Sequence, residues 1–191
     1  MKIRIGFHGL IGCNSFRLIE EYFTNYESIS YLTIDDLFFE LEKNHIDSFV
    51  LPISNNTTGD INDHLEIIKK YSNYEIVENL QLKINHTLYG LLDSKLKDIN
   101  KVVSHKEALK QCSIFIKNFE LIETWNTFAG IDYIIDKKDI SIAAIAPSNI
   151  KNKNIKELCN NISNNENNIT NFIVIINSQN KENINIKSYL K

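Results

Sequence analysis

Two glycines that follow the first apolar segment have the spacing of a turn that approaches a ligand. Ile3 to Phe7 is a short apolar run, and Gly9 and Gly12 come shortly after it. Glycine lets the backbone turn tightly and come close to a bound molecule. The spacing lacks the full glycine fingerprint of dinucleotide-binding proteins, so NAD is not implied.

A second polar segment suits hydrogen bonding to an anion. Ser104 to Glu107 has the capping-box pattern and predicts a helix that begins at Ser104 and runs to about Lys117. A helix N-terminus favours negative charge. Gln111 is seven residues after Ser104, nearly two turns, so both side chains are expected on one side of this helix. An N-cap role explains Ser104 without any ligand.

Strands alternate with helices through the first part of the chain. The apolar pattern predicts strands at 3–7, 28–32 and 48–52, with a helix after Asn14 and another that begins at the Thr33 N-cap. Asp60 is expected to cap a further helix that ends at Lys70. Asn55 and Asn56, followed by Gly59, suit a turn. In sheets built from such units, ligands bind outside the carboxyl ends of the strands.

The rest of the chain repeats this alternation after a long extended segment. Residues 74–92 are predicted to be extended and broken near Asn85. Strands are expected at 119–123, 142–146 and 172–176, and a helix at 126–135. The Asn-rich stretch 151–168 is interpreted as a short helix plus loop. A second lobe therefore follows the first.

Composition excludes several classes of protein. The 191 residues are 43% hydrophobic and 24% charged, and 21 basic against 24 acidic side chains give a net charge of −3. No lysine or arginine block suits nucleic acid, and no apolar run approaches the roughly 20 residues that span a bilayer. Without a signal-peptide pattern at the start, we expect a cytoplasmic protein. The odd, widely spaced cysteines Cys13, Cys112 and Cys159 are expected to be free thiols.

Four segments, in order along the chain, match a set of family motifs. Residues 7–15 read FHGLIGCNS, 52–59 read PISNNTTG, 104–112 read SHKEALKQC and 168–172 read NITNF. They resemble the aromatic-x-G-x-x-G-x-x-S, P-I-E-N-S-x-x-G, S-H-P-Q-A-L-x-Q-C and N-x-T-R-F motifs of the prephenate dehydratase family. The matches extend over nearly the whole chain.

The resemblance implies an architecture. It is an α/β, two-lobed, periplasmic-binding-protein-like fold, in which each lobe is a mostly parallel sheet flanked by helices and the ligand cleft lies between the lobes. Residues 1–76 and 166–191 are expected to form the first lobe and residues 77–165 the second. We expect no ACT regulatory domain, no metal and no cofactor. A homodimer is expected, with no nucleic-acid or membrane partner.

The resemblance also implies a reaction and its residues. A prephenate dehydratase-like lyase converts prephenate to phenylpyruvate in phenylalanine biosynthesis, with loss of CO2 and hydroxide. Matched by position, the catalytic residues are Thr170, Asn55, Ser104 and Gln111. The substrate-binding residues are Ser15, Asn56, Gly59, His105, Asn171 and Phe172. For His105 a structural role is the favoured alternative to a catalytic one.

The hydroxyl of Thr170 would assist departure of the hydroxide. Threonine is a poor acid, but in a site that excludes water it donates a hydrogen bond or relays a proton, and aromatisation of the ring supplies the driving force. The alternative is structural, because threonine is also a good strand former at the start of an apolar strand.

Two positions depart from the motifs. Ser54 stands where the family has glutamate, and Asn171 where it has arginine. Arginine grips a carboxylate with two parallel hydrogen bonds, which asparagine cannot do. Loss of one charge-assisted bond predicts roughly 10- to 100-fold weaker substrate handling. Arg17, two residues after Ser15, is a candidate substitute.

Two alternatives to the dehydratase stay open. A diverged prephenate decarboxylase would avoid hydroxide loss, although such enzymes typically lack the motif threonine and Thr170 is present here. A non-catalytic homologue would bind a small carboxylate without turnover, consistent with the replacement of the motif arginine by Asn171.

Overall fold

The computed structural model describes residues 2–148 and 150–191, and these divide into two compact units. The first unit combines Met1–Lys83 with Ile169–Lys191, and the second is Ile84–Asn168. The division expected from the sequence, at 76/77 and 165/166, differs from this one by seven and three residues. The reason is that the extended segment up to Lys83 pairs along its length with the strand that begins at Ile169.

The first unit is built on a mixed sheet with the strand order β2-β1-β3-β11-β5, and β4 pairs with β3. β1 runs parallel to β2 and β3, whereas β11 is antiparallel to β3 and β5. The sheet is therefore mixed rather than mostly parallel, because β11 runs antiparallel to both of its neighbours. The strand bounds are β1 (Ile3–His8), β2 (Tyr26–Tyr31), β3 (Ser48–Asn55), β4 (Gly59–Asp60), β5 (Tyr74–Lys83) and β11 (Ile169–Asn177).

Helices cover this sheet where the apolar spacing predicts them. They are α1 (Asn14–Tyr22), α2 (Ile34–Glu42) and α3 (Asn62–Ile68). Thr33 caps α2 as predicted, since its Oγ1 accepts a hydrogen bond from the Asp36 amide at 3.1 Å. One core cluster joins α2 to the strands through Leu37, Phe38 and Leu41, together with Phe49, Leu51, Ile173 and Ile175.

The second unit has the strand order β10-β6-β9-β7-β8. β7 is parallel to β8 and β9, whereas β6 is antiparallel to β9 and β10, so this sheet is mixed as well. Gly130 lets one helix lie close to the sheet, because a Cβ there would be 3.1 Å from the Val103 carbonyl oxygen. The bounds are β6 (His86–Leu91), β7 (Lys101–His105), α4 (Lys106–Gln111), β8 (Glu120–Thr124), α5 (Thr127–Lys137), β9 (Ile142–Pro147) and β10 (Ile155–Cys159).

Three local predictions are wrong. Ser104 lies in β7 and does not begin a helix, and α4 ends at Gln111 rather than near Lys117. The helix stops because the Asn164 side chain accepts from the Ile114 amide and donates to the Lys110 carbonyl, replacing helical hydrogen bonds. In residues 151–168, β10 replaces the expected short helix. The third helix was expected to be capped by Asp60, but it begins at Asn62.

These last two errors have separate causes. β10 pairs with β6, and such a long-range pairing outweighs the weak local periodicity of the Asn-rich stretch. Asp60 is drawn into β4, where it is the register partner of Ser54 in β3, so the helix begins two residues later at Asn62. In both places pairing with another strand, distant in sequence for β10 and six residues away for Asp60, decides the local structure.

The cysteines are free, as expected: Cys112 is buried, and Cys13 and Cys159 are partly buried. Burial raises the pKa of the Cys112 thiol to about 12, so it is protonated at neutral pH. Among residues 2–148 and 150–191, no helix is both long and apolar enough to cross a membrane.

Candidate functional site

Asn55 and Thr170 form a buried pair in the first unit. Asn55 is the last residue of β3, Thr170 is the second residue of β11, and the two are register partners in the antiparallel pairing. The Asn55 Nδ2 lies 2.9 Å from the Thr170 Oγ1. Both residues are less than 9% exposed. Asn55 and Thr170, which are 115 positions apart in the sequence, are therefore in direct contact.

The direction of this hydrogen bond is set by the turn that follows β3. The Asn55 Oδ1 accepts from the amide of Thr57 at 2.8 Å and from the amide of Thr58 at 3.1 Å. Since backbone amides only donate, the oxygen of the Asn55 side chain must face them and its nitrogen must face Thr170. Thr170 is thus the acceptor in the pair, and its own hydroxyl hydrogen is directed away from Asn55.

Neighbouring residues hold the start of β11 against this turn. The Asn56 amide donates to the Ile169 carbonyl at 3.0 Å, and the Asn56 Oδ1 accepts from the Ile169 amide at 2.8 Å. Gly59 has φ +85°, a conformation that disfavours residues with a Cβ. The expected turn residues Asn55, Asn56 and Gly59 therefore act together to fix the position of Thr170.

Two histidines that the motifs did not single out lie at the same end of the sheet. The His64 Nδ1 donates to the Pro52 carbonyl in β3 at 2.7 Å, and the His8 Nε2 to the Leu32 carbonyl at 3.2 Å. Their rings are 5.7 Å apart. Burial and the neighbouring His64 lower the pKa of His8, which is therefore largely neutral at pH 7. His8 falls at a variable position of the first motif, and α3 gave no signal for His64.

The glycine turn after β1 is formed as predicted. Gly9 has φ +105° and Gly12 has φ +90°, and the turn leads directly into α1. Ser15 is buried in the first turn of α1. Arg17 is partly buried as a residue, and its Nη1 donates to the Asn14 Oδ1 at 3.3 Å. Arg4, the chain's other arginine, pairs with Asp47 through an Nη2–Oδ1 distance of 2.7 Å.

The two positions that depart from the motifs contact each other. Asn171 and Ser54 are register partners, and the Asn171 Nδ2 donates to the Ser54 Oγ at 2.9 Å. On the other side of β11, the Gln81 Nε2 donates to the Asn171 Oδ1 at 3.0 Å. Gln81 was missed because its pairing with β11 is not encoded locally. Its only signal was the alternation with Leu80 and Leu82 along β5.

Phe172, which the motifs predict as a ligand contact, lies in the core of the first unit. Its ring is fully buried in the first unit. β11 alternates, so Phe172 points to the same face of the sheet as Thr170. The buried ring therefore anchors the strand that carries Thr170, and its contact with a substrate stays a prediction.

The candidate residues of the second unit are placed differently from the prediction. Ser104 is fully buried in β7, and its Oγ donates to the Ile145 carbonyl of β9 at 2.6 Å. The N-cap of α4 is His105, whose Nδ1 accepts from the Glu107 amide at 3.4 Å. Gln111 is half-buried at the opposite end of α4. The expected capping box is wrong, because the buried Ser104 hydroxyl already bonds β9.

Comparison with known proteins adds a family match. A family profile described as prephenate dehydratase matches residues 5–180. A bifunctional chorismate mutase/prephenate dehydratase of Buchnera aphidicola subsp. Acyrthosiphon pisum is 35% identical over 148 residues, which are 75% of this chain and 38% of that protein. A prephenate dehydratase of Methanocaldococcus jannaschii is 30% identical over 146 residues, 75% of this chain and 52% of that protein. The chain thus spans roughly half or less of these curated relatives.

Solved structures show the same fold. Prephenate dehydratase from Arthrobacter aurescens in complex with L-Phe superposes with a TM-score of 0.79 at 18% identity, covering 92% of this chain and 60% of that one. The enzyme from Staphylococcus aureus gives a TM-score of 0.75 at 23% identity, covering 93% and 68%. The expected periplasmic-binding-protein-like α/β fold is confirmed, with a mixed sheet flanked by helices in each unit.

Proposed function

The chain belongs to the prephenate dehydratase family, and from this we propose that it is a lyase that converts prephenate to phenylpyruvate in phenylalanine biosynthesis. The observation that carries the proposal is the direction of the Asn55–Thr170 hydrogen bond. It leaves the hydroxyl hydrogen of Thr170 for an acceptor outside the pair. A departing hydroxide is such an acceptor.

The reaction needs a hydrogen-bond donor at the step in which the ring hydroxyl leaves. The bond between the ring and its carboxylate breaks to release CO2, and its electron pair enters the ring. The ring becomes aromatic as the C–O bond breaks and its electron pair leaves on oxygen as hydroxide, which takes up a proton from solvent water to become water. A positioned donor at the leaving oxygen contributes roughly 10²- to 10⁴-fold in rate. Thr170 supplies this hydrogen bond, and the driving force comes from aromatisation.

Asn55 prepares Thr170 for this role before substrate binds. The Asn55 Oδ1 accepts from two backbone amides, so the Nδ2 faces Thr170. Because this nitrogen only donates, the Thr170 hydroxyl cannot donate to Asn55 in return. Preorganised donors of this kind do not have to reorient during the reaction. Ser15, Asn56 and Gly59 are carried over from the motifs as residues around the substrate, and the roles that the motifs give His105 and Gln111 stay predictions. Ser104, which the motifs give as a catalytic residue, is assigned here to hold the start of α4 through its hydrogen bond to β9.

An assay with prephenate separates this function from the two alternatives. Purified protein is incubated with prephenate near pH 7.5, and phenylpyruvate is measured by its absorbance in alkali against a protein-free control. We expect phenylpyruvate and CO2 in equal amounts. CO2 with a non-aromatic product that retains the hydroxyl would assign a decarboxylase. Saturable prephenate binding without any product would assign a carboxylate-binding protein.

The assembly and location are part of the same proposal. We expect a homodimer in the cytoplasm, with a small-molecule substrate and no nucleic-acid or membrane partner. Light scattering on the purified protein is expected to give about twice the chain mass of 22.1 kDa. A mass of one chain would contradict the dimer and leave the chemistry proposed for Thr170 unaffected.

A further inference from the structure

The two departures from the family motifs occupy facing positions on adjacent strands. Ser54 in β3 stands where the motif has glutamate, and Asn171 in β11 where it has arginine. They are register partners joined by a 2.9 Å hydrogen bond from the Asn171 Nδ2 to the Ser54 Oγ. A glutamate and an arginine at such positions would form a cross-strand ion pair. In this chain both positions carry neutral residues that contact each other.

Asn171 also points away from the face that carries Thr170. Successive residues of a strand face opposite sides of the sheet. Asn171 therefore shares its face with Ile173 and Ile175, which pack in the core cluster with α2. Thr170 shares the other face with Phe172. The Asn171 amide is held on both sides, by Ser54 in β3 and by Gln81 in β5.

We propose that Ser54, Asn171 and Gln81, a row of hydrogen-bonded side chains across β3, β11 and β5, position Thr170 from behind the sheet and do not bind substrate. The row is a neutral replacement for an ion pair, so the absence of the motif arginine does not remove a substrate contact from this chain. Asn171 is a positioning residue, because it fixes β11 one residue away from Thr170. This replaces the expectation that loss of the arginine weakens substrate handling.

A double-mutant cycle tests the row. The variants are Ser54→Glu, Asn171→Arg and the two combined, and each is measured for its unfolding equilibrium constant in urea and for kcat and KM with prephenate. We expect each single change to destabilise the fold, and the pair to be coupled by about 5-fold in the unfolding constant, the size of a favourable cross-strand charge pair. Additive effects of the two changes would overturn the pairing.

The kinetic part of the test rests on the proposed function. Once the protein is fully folded, we expect the single changes to lower kcat, the combined variant to restore it to within about 3-fold of wild type, and KM to change by less than about 2-fold throughout. A purely structural role would leave kcat of the folded protein unchanged and would overturn the positioning role. If Asn171→Arg alone raised kcat/KM 10-fold or more, Asn171 would be a lost substrate contact and the proposal would be wrong.

Two further points keep these outcomes separate. Failure of the proposed function would show as absence of turnover in wild type, whereas the coupling in urea requires no turnover. If the arginine variant does not fold, the milder cycle of Ser54→Ala and Asn171→Ala replaces it. There we expect a coupling of about 2- to 10-fold, the range of one hydrogen bond, and additivity would again contradict the pairing.

Discussion

Replacing Thr170 by valine is expected to lower kcat for prephenate by roughly 10²- to 10⁴-fold, the contribution of a positioned proton or hydrogen-bond donor. Valine has nearly the same shape and is equally suited to a strand, so the change removes only the hydroxyl. The Asn55 amide then loses its acceptor, which costs about 1–3 kcal/mol of folding free energy when the group is buried. The measurements are steady-state kinetics and urea unfolding.

Two controls separate loss of the donor from loss of structure. Thr170→Ser keeps a hydroxyl at the same position and is expected to retain activity within about 10-fold of wild type. Thr24→Val removes an exposed hydroxyl, which bonds the Tyr189 carbonyl, and is expected to leave turnover unchanged. Turnover by folded Thr170→Val at more than a tenth of the wild-type rate would show that the hydroxyl does not act on the leaving group.

Changing Asn55 to aspartate is expected to reverse the hydrogen bond to Thr170 and to lower kcat by about 10²-fold at neutral pH. The carboxylate can still accept from the Thr57 and Thr58 amides, so the turn is retained. Its other oxygen only accepts, so the Thr170 hydroxyl must donate to it and is lost to the substrate. The added negative charge also repels the substrate carboxylates, and KM is expected to rise.

The pH dependence of this variant distinguishes reversal from general damage. A protonated aspartate donates a hydrogen bond again, so the ratio of variant to wild-type kcat is expected to rise as the pH falls through the pKa of the new carboxyl group. Asn183→Asp, which adds the same charge at an exposed position, is expected to change neither kcat nor its pH profile. A ratio that is independent of pH would contradict the assigned direction of the Asn55–Thr170 bond.

The sequence predicted Asn55 and Thr170 as site residues but did not predict that they are hydrogen-bonded to each other. The motifs predicted both residues, and the apolar runs predicted strands at 48–52 and 172–176. The observed strands extend beyond those bounds to include both residues. The two are 115 positions apart, and their contact depends on the antiparallel pairing of β11 with β3. No local pattern encodes that register. The direction of the hydrogen bond also depends on the turn after β3, because that turn brings the Thr57 and Thr58 amides to the Asn55 Oδ1.

Ser104 shows how a correct motif led to a wrong local structure. The pattern Ser104 to Glu107 satisfies the capping box, yet Ser104 takes part in the parallel pairing of β7 with β8, and its hydroxyl donates to β9. Tertiary hydrogen bonds outweighed the local capping preference. The cap passed to the next residue, His105.

Ser54 and Asn171, the two residues that depart from the motifs, show what a reading along the chain misses. Read separately along the chain, Asn171 was interpreted as a lost carboxylate contact. Only the register of β11 against β3 reveals that Ser54 faces Asn171, and that the two positions that depart from the motifs are in contact. Gln81 extends the same row from β5 and carries no motif at all.

The most direct test of the account is a crystal structure with a prephenate analogue whose ring is saturated, which keeps the ring hydroxyl but cannot become aromatic. We expect the oxygen of that hydroxyl to lie about 2.6–3.2 Å from the Thr170 Oγ1, while the Asn55 amide still donates to Thr170 from the other side. An analogue bound with its hydroxyl more than about 4 Å from Thr170, or a Thr170 hydroxyl that donates to a protein carbonyl instead, would contradict the account.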